Sequence, residues 1–324
     1  MNICVAGLWH LGSVTAGCLA SAGHNIIGFD PDAKVASGLQ AGKPPLFEPD
    51  LEKLICDGIE KGLLRFTTDR ASAVSGAEVV WITFDTPVDD NDRADVIYVV
   101  DQVKQLFPYL RTGALVLVSS QLPVGSTRWL EQAAAESIPS RQVTFAYSPE
   151  NLRLGKAISV FIKPDRVVAG VRNPIDKSRI KTMLRPFTER IEWMSVESAE
   201  MTKHAINGFL ATSVVFANEI AVLCEAVGAD AQEVERGLKT DSRIGEKAYL
   251  GPGAAFAGGT LARDISFLQA LGADAGRNVR MLSAVRESNE AHKGWALQMV
   301  RDLAENQLKG KIISVWGLTY KPGT

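Results

Sequence analysis

The chain has 324 residues, a formal net charge of −2, 46% hydrophobic and 22% charged residues. That is enough chain for two domains or a little more. The near-neutral balance excludes electrostatic capture of nucleic acid or of an anionic membrane, so an anionic ligand would need local basic residues. The cysteines Cys4, Cys18, Cys56 and Cys224 share no metal-ligand spacing and read as reduced core thiols, and no metal is expected. Met1 leads directly into an apolar run without a secretory leader pattern, and no apolar run is read as long enough to span a bilayer, so a cytoplasmic location is expected.

The first thirty residues set the organisation. Ile3 to Ala6 is a short apolar run of the kind a fully buried parallel strand shows. A glycine turn follows, then a helix of small residues from Ser13 to Ala22, then a second apolar run, Ile26 to Phe29, ending in Asp30. Strand, glycine turn, helix, strand and acid make the first unit of a Rossmann fold. The turn lets a diphosphate sit on the helix N-terminus, and Asp30 stands where a carboxylate bonds both hydroxyls of an adenosine ribose, which favours NAD. The turn reads Gly7, Leu8, Trp9, His10, Leu11, Gly12, so Trp9 occupies the place of the glycine that normally lets the backbone approach the pyrophosphate. Its side chain either swings aside or closes the site. A βαβ unit that binds nothing is the alternative.

Alternation of strands and helices continues. Helices are expected at Ala33–Gln40, Pro49–Lys61, Asp95–Phe107, Ser126–Ala135 and from about Pro174, and strands at Glu78–Thr83, Ala114–Ser119, Val143–Ala146, Val167–Gly170 and Ile191–Met194. This implies an α/β fold, a Rossmann-type parallel sheet with helices on both faces, over residues 1–195. From Val196 to about Val227 runs one long helical pattern without proline, with apolar Phe209, Val215, Phe216, Ile220 and Leu223. Apolar residues on more than one face imply burial on several sides. This helix anchors an all-helical domain over 196–306 and is the expected dimer contact. Lys311 to Trp316 reads as a further buried strand, which either joins the existing sheet or is the first strand of a truncated domain over 307–324.

Lys203 and Asn207 are four apart and share one face of the long helix, with Glu200 a turn earlier. A desolvated lysine can take or relay a hydroxyl proton during hydride transfer, and an asparagine can hold that hydroxyl in line; a solvated polar face is the plain alternative. Gly251 to Asp264, GPGAAFAGGTLARD, is glycine-rich and can offer backbone N–H groups to phosphate or sugar oxygens. Loops at Thr86-Pro87, Pro123-Val124-Gly125 and Ser148 to Arg153 each follow a strand and point to one crevice at the strand C-termini.

Together these pieces resemble the UDP-glucose/GDP-mannose dehydrogenase family from Asn2 to Thr324. The resemblance shows in GHNIIGFD, LFEPDLEKLI, LPVGST, SPENLRLG, KPDRVVAG, ESAEMTKHAINGFLATSVVFANEIAVLCEAVGAD, DSRIG, the glycine loop and GLTYKPGT. Members of that family oxidise a sugar's primary alcohol to a carboxylate with two NAD. The implied organisation is an NAD domain, a central long-helix dimerisation domain and a second Rossmann-like domain for the nucleotide, with a nucleotide sugar as substrate and a homodimer as assembly. By resemblance Lys203, Asn207 and Asp264 match the catalytic polar set and Glu150 the glutamate of acid–base work and thioester hydrolysis. Gly7, Leu11, Gly12, Asp30, Lys34, Thr86 and Arg263 match cofactor contacts. Leu152, Arg153, Tyr249, Leu250, Gly251, Gly253, Gly258 and Lys321 match substrate contacts, and Arg243 an arginine that reaches the sugar across the dimer.

The departures cluster around the chemistry. The family loop reads GGSCFPKD, and its cysteine is the nucleophile; aligned on Asp264, this chain has Thr260 there. A threonine hydroxyl is barely ionised at neutral pH, whereas a thiol is partly thiolate. Gln121 replaces a threonine, Leu154 a glutamate near the nicotinamide, and Trp9 the pyrophosphate glycine. The expectation is an NAD-dependent nucleotide-sugar dehydrogenase in which hydride transfer at an alcohol survives and the thioester route does not. A non-catalytic scaffold or a single-step hydroxyacid-type dehydrogenase are the alternatives.

Overall fold

The computed structural model describes residues 1–89, 94–150, 152–257 and 260–317. In chain order the first elements are β1 (Asn2–Ala6), α1 (His10–Ser21), β2 (Asn25–Phe29), α2 (Ala33–Gln40), α3 (Leu51–Glu60), β3 (Leu64–Thr67), α4 (Arg70–Val74), β4 (Val79–Ile82) and α5 (Val96–Lys104). Then come β5 (Leu115–Val118), α6 (Ser126–Ser137), β6 (Thr144–Tyr147), α7 (Ala157–Ile162), β7 (Val167–Gly170), α8 (Pro174–Leu184) and β8 (Ile191–Met194). The remainder is helical: α9 (Val196–Val227), α10 (Ala231–Thr240), α11 (Thr260–Asp274), α12 (Arg280–His292) and α13 (Trp295–Leu303). Of the described residues, 1–87 and 94–201 form one compact unit, and 202–317 with 88–89 form another.

The strands of the first unit form one sheet in the order β3-β2-β1-β4-β5-β6-β7-β8. They read as unbroken apolar runs because both faces are covered. Ile3 and Val5, Val79 and Trp81, Leu115 and Leu117 face one core. Their neighbours Cys4 and Ala6, Val80 and Ile82, Val116 and Val118 face the other, as the two-residue period of a strand requires. Helices α1, α3 and α8 close the first core through Leu19, Ile55 and Ile180. Helices α5 and α6 and the start of α9 close the second through Val103, Leu130 and Val196. The strand order reverses between β1 and β4, the switch point at which open α/β sheets bind ligands beyond the strand C-termini.

The expected sheet is corrected at one seam: β6 and β7 pair antiparallel through Tyr147 and Gly170, and the parallel direction resumes between β7 and β8. Three short elements, β3, α4 and α7, lie outside the expected set. The helix expected from Pro49 starts at Leu51, after Asp50 adopts a left-handed turn (φ 65°). Lys311 to Trp316 forms no strand; Ile312 and Trp316 are 95% and 96% exposed. An isolated strand has no ladder to join, and none among the described residues pairs with this one.

In the second unit α9 is buried over a broad arc that includes Ser213, Ala217 and Cys224 as well as its contact with the other helices. Ala211 and Val215 meet Ile265 of α11 and Val285 of α12, with Phe256, Leu261 and Leu282 around them. The expected burial on several sides is corrected at Phe209, Phe216 and Leu223, seven residues apart and all exposed. By length and composition alone α9 is also long and apolar enough to cross a membrane, with a window of mean hydropathy 1.6, which corrects the reading that no run is. Its His204, Asn207 and Asn218 nevertheless spend their polar atoms on hydrogen bonds within the helical unit.

Where α9 begins, Arg172 bridges Glu131 (2.6 Å) and Glu197 (2.9 Å), and Arg128 joins Glu197 at 2.7 Å. The Arg172 guanidinium holds the Glu197 carboxyl down to about 2. A lowered carboxyl stabilises the fold above its unfolded value, here 4.5, and that contribution is lost as pH falls towards 2. Glu197→Gln is therefore expected to lower the melting temperature near neutral pH, by the equivalent of about 0.5–1 kcal/mol after solvent screening. The difference from the unsubstituted protein should close as the pH of the thermal melts is taken from 5 to 2.

Candidate active site

The glycine turn of the first unit is built on two missing side chains. Gly7 has φ +97°, and a Cβ there would lie 2.4 Å from the Phe84 backbone nitrogen. A Cβ on Gly12 would lie 1.8 Å from the Gly7 carbonyl oxygen. Trp9 needs no such licence: its φ is −68°, and the residue is 45% exposed. As the residue before α1 it makes no side-chain cap bond, and the N–H groups of the first helical turn have no intrahelical acceptors by construction, which suits an anion. Asp30 closes the turn from the end of β2: Oδ2 accepts from the Leu8 N–H at 2.7 Å and Oδ1 from the Asp32 N–H at 2.9 Å. Desolvation raises its pKa, opposed by those two backbone donors. A carboxylate has about four lone-pair sites, so two ribose hydroxyls can still be accepted. The turn, the helix end and the acid therefore fit a dinucleotide. Lys34 is exposed in the first turn of α2.

The loops after β4, β5 and β6 are stitched to one another, as their adjacency in the sheet allows. Thr86 Oγ1 donates to the Gln121 carbonyl (2.7 Å), Ser120 Oγ to that of Phe84 (2.7 Å) and Ser119 Oγ to that of Ser148 (2.5 Å). Glu150 accepts from the Leu152 N–H at 2.9 Å; Leu154 is half-buried and Arg153 exposed in the same loop. The anchor of that loop is a residue sequence reasoning passed over. Glu48, 3% exposed, accepts from the Gly155 N–H (2.8 Å), the Ala157 N–H (2.7 Å) and His10 Nε2 (2.9 Å). It thereby ties the glycine turn to the loop carrying Glu150. Glu200 is also reassigned. Its buried carboxylate accepts from the Gly125 N–H (2.6 Å) and the Thr127 N–H (2.9 Å), capping α6, so it does not belong with the lysine and asparagine a turn later.

In the second unit, Lys203, His204 and Asn207 of α9 and Asp264 of α11 are all buried. Asp264 accepts from Asn207 Nδ2 and stands 2.6 Å from His204 Nδ1. His204 was not singled out by sequence; its partner is 60 residues away, beyond any local spacing rule. Thr260 opens α11 one turn before Asp264, and Arg263 is half-buried beside it. The glycine loop is held by its backbone. Asn218 accepts from the Gly253 N–H (2.8 Å) and His292 Nε2 donates to the Gly253 carbonyl (2.9 Å). Asn289 accepts from the Phe256 N–H (2.9 Å) and donates to its carbonyl (3.0 Å). Along this loop Tyr249, Gly251 and Gly253 are exposed and Leu250 is half-buried. Arg243 is exposed and paired with Asp241 at 2.6 Å. Gly258 and Lys321 lie outside the described residues.

Residues 1–188 match the NAD binding domain of the UDP-glucose/GDP-mannose dehydrogenase family, and residues 197–291 match its central domain. The chain belongs to the UDP-glucose/GDP-mannose dehydrogenase family. It is 32% identical to a UDP-glucose 6-dehydrogenase of Pseudomonas aeruginosa over 331 residues, spanning 100% of this chain and 73% of that one. With a UDP-glucose 6-dehydrogenase of Rhizobium meliloti the identity is 34% over 330 residues, with 100% and 75% covered. Among solved structures, a UDP-glucose dehydrogenase from Pyrobaculum islandicum superposes with a TM-score of 0.88 at 30% identity, covering 94% of this chain and 71% of that one.

Within this family the thiols matter. Burial pushes Cys18 up to about 12 and raises Cys4 further. Cys224 lies 17 residues beyond Asn207 on α9, about 25 Å along the axis at 1.5 Å per residue. Cys56 sits in α3 of the first unit. None stands in the place of Thr260.

The cofactor turn makes a calorimetric prediction. Asp30→Asn removes a charge-assisted acceptor and is expected to weaken NAD binding by about tenfold to a hundredfold, 1.5–3 kcal/mol. Trp9→Gly should leave affinity within about threefold, a change of under 1 kcal/mol, because the backbone at this position already has an ordinary negative φ that needs no glycine. Undiminished binding by the Asp30 variant would remove Asp30 from the ribose site.

Proposed function

We propose that this chain oxidises the primary alcohol of a nucleoside diphosphate sugar to the aldehyde, with NAD as oxidant. The observation that carries the reading is the buried set Lys203, Asn207 and Asp264 in a chain whose first 188 residues match an NAD binding domain. When bound, NAD supplies the hydride acceptor. Asp264, acceptor-only as a carboxylate, takes the Asn207 NH2 group, so Asn207 Oδ1 is the end left to hold the sugar hydroxyl. The Lys203 amine receives the hydroxyl proton as the carbinol hydrogen departs as hydride. The products are aldehyde, NADH and one proton. UDP-glucose is the substrate class suggested by the names of the relatives.

The reading stops at the aldehyde because the second oxidation in this family runs through a cysteine adduct, and Thr260 supplies only a hydroxyl. The exposed Phe209, Phe216 and Leu223 of α9 form a stripe that a second copy would cover, which supports a homodimer.

Purified protein with NAD and UDP-glucose or GDP-mannose tests the reading by NADH absorbance and product mass. One NADH per sugar and a product two mass units lighter are expected, and Thr260→Cys should raise the NADH yield towards two. Efficient conversion to the uronic acid by the unsubstituted protein would overturn the single-step reading. Absence of NADH with every nucleotide sugar would favour the scaffold alternative.

A further inference from the structure

We propose that His204 is a positioning residue whose Nδ1–H fixes Asp264 and, through it, the direction in which the Asn207 amide points. The argument starts from what each atom can do. Asp264 has no solvent exposure, and a buried carboxylate is tolerable only when donors surround it. One oxygen faces His204 Nδ1 at 2.6 Å and the other faces the Asn207 amide nitrogen. An ionised carboxylate donates nothing, so both facing atoms must carry hydrogen. His204 is thereby held with a proton on Nδ1. Phe267, three residues after Asp264 on α11, meets the imidazole edge to face at 5.5 Å and 87°, which fixes the ring plane. The bond to Asp264 is thus set from two sides, by the tautomer and by the aromatic wall.

The consequence falls on Asn207. An amide can present either its oxygen or its NH2 group by a half-turn about its terminal torsion, and the choice is normally made by its partners. With Asp264 immobilised, the NH2 end is committed and the oxygen faces away from the carboxylate. Without the His204 donor, the oxygen facing it loses that hydrogen bond, which favours protonation of the carboxyl. A protonated Asp264 would donate, and Asn207 would then turn its oxygen inward and offer NH2 to the substrate. His204 thus selects an acceptor over a donor at the hydroxyl-binding atom while touching neither substrate nor cofactor. This role rests on the proposed dehydrogenase reading for its kinetic expression, though not for its structural content.

Three substitutions separate donor, ring and volume. His204→Asn places an amide NH2 close to where Nδ1–H lies, His204→Gln places it at the far end of the ring, and His204→Phe keeps a ring against Phe267 without any donor. The asparagine variant should retain kcat on UDP-glucose within about threefold, 0.65 kcal/mol by the rate relation. The glutamine and phenylalanine variants should lose at least tenfold in kcat, with KM for NAD unchanged. In the unsubstituted protein with 15N-labelled histidine, the His204 resonances, assigned by their loss in a variant, should report a proton on Nδ1. Wild-type kcat in His204→Phe, or a proton on Nε2 alone, overturns the proposal. If no sugar is oxidised by any form, the dehydrogenase reading fails while the nitrogen spectrum still decides this one.

Discussion

The seating of α1 on the ends of β1 and β4 constrains everything that the first unit can bind. Gly12 lies against the Gly7 carbonyl and Gly7 against the Phe84 backbone, closer than any side chain permits. Thr83 Oγ1 then closes the junction by donating to the carbonyls of Ala6 and Gly7. With the helix end fixed this tightly, its N–H groups and the Asp30 carboxylate stand in a set relation, because Asp30 is itself bonded to Leu8 within the turn. Trp9 is tolerated because the middle position of this turn has an ordinary negative φ. The requirement there is for room beside a ligand, which the indole sets and the backbone does not.

A second constraint runs through both units: each buried carboxylate is surrounded by donors, and the donors decide its job. Glu48 takes two backbone N–H groups and His10, and so joins two loops. Glu200 takes two N–H groups at the start of α6, where a negative charge also meets the positive end of the helix. Asp176 takes Thr144 Oγ1 and Asn173 Nδ2 and steadies the start of α8. Asp264 alone among these four is partnered by an imidazole and an amide from the helix that also carries Lys203. Backbone donors have no freedom, so the first two carboxylates are fasteners. Side-chain donors can reorient, which is what makes the environment of Asp264 suited to chemistry.

These distinctions mark how far the sequence could be read. The Rossmann opening was legible because strands buried on both faces leave continuous apolar runs, and β1, β4 and β5 do so. The Lys203/Asn207 pair was legible because both lie on one helix. Glu200 shares that spacing and was placed with them, yet its partners are on α6, 73 and 75 residues away, and no periodicity records such a distance. His204 and Glu48 were missed for the same reason. The four-residue β3 and five-residue α4 are too short for a periodic signal, although the Asp69 side chain accepting from Ala71 and Ser72 marks the start of α4. Lys311 to Trp316 failed in the opposite direction: its pattern is that of a strand, but a strand also needs a neighbour, and pattern cannot supply one.

The chemistry proposed for this chain follows from which parts of a two-stage oxidation depend on covalency. Removing hydride from an alcohol needs a proton acceptor, a fixed hydroxyl and a bound oxidant, and position supplies most of that advantage. Removing hydride from an aldehyde first needs a nucleophile to make the carbon tetrahedral, and a hydroxyl without an adjacent base is a poor one at neutral pH. In this chain His204 and Asn207 are both bonded to Asp264, and Thr260 offers a hydroxyl where the family has a thiol. Asn207 to fix the hydroxyl and Lys203 to take its proton meet the needs of the first oxidation, whereas the second needs a nucleophile that a threonine hydroxyl at position 260 replaces poorly.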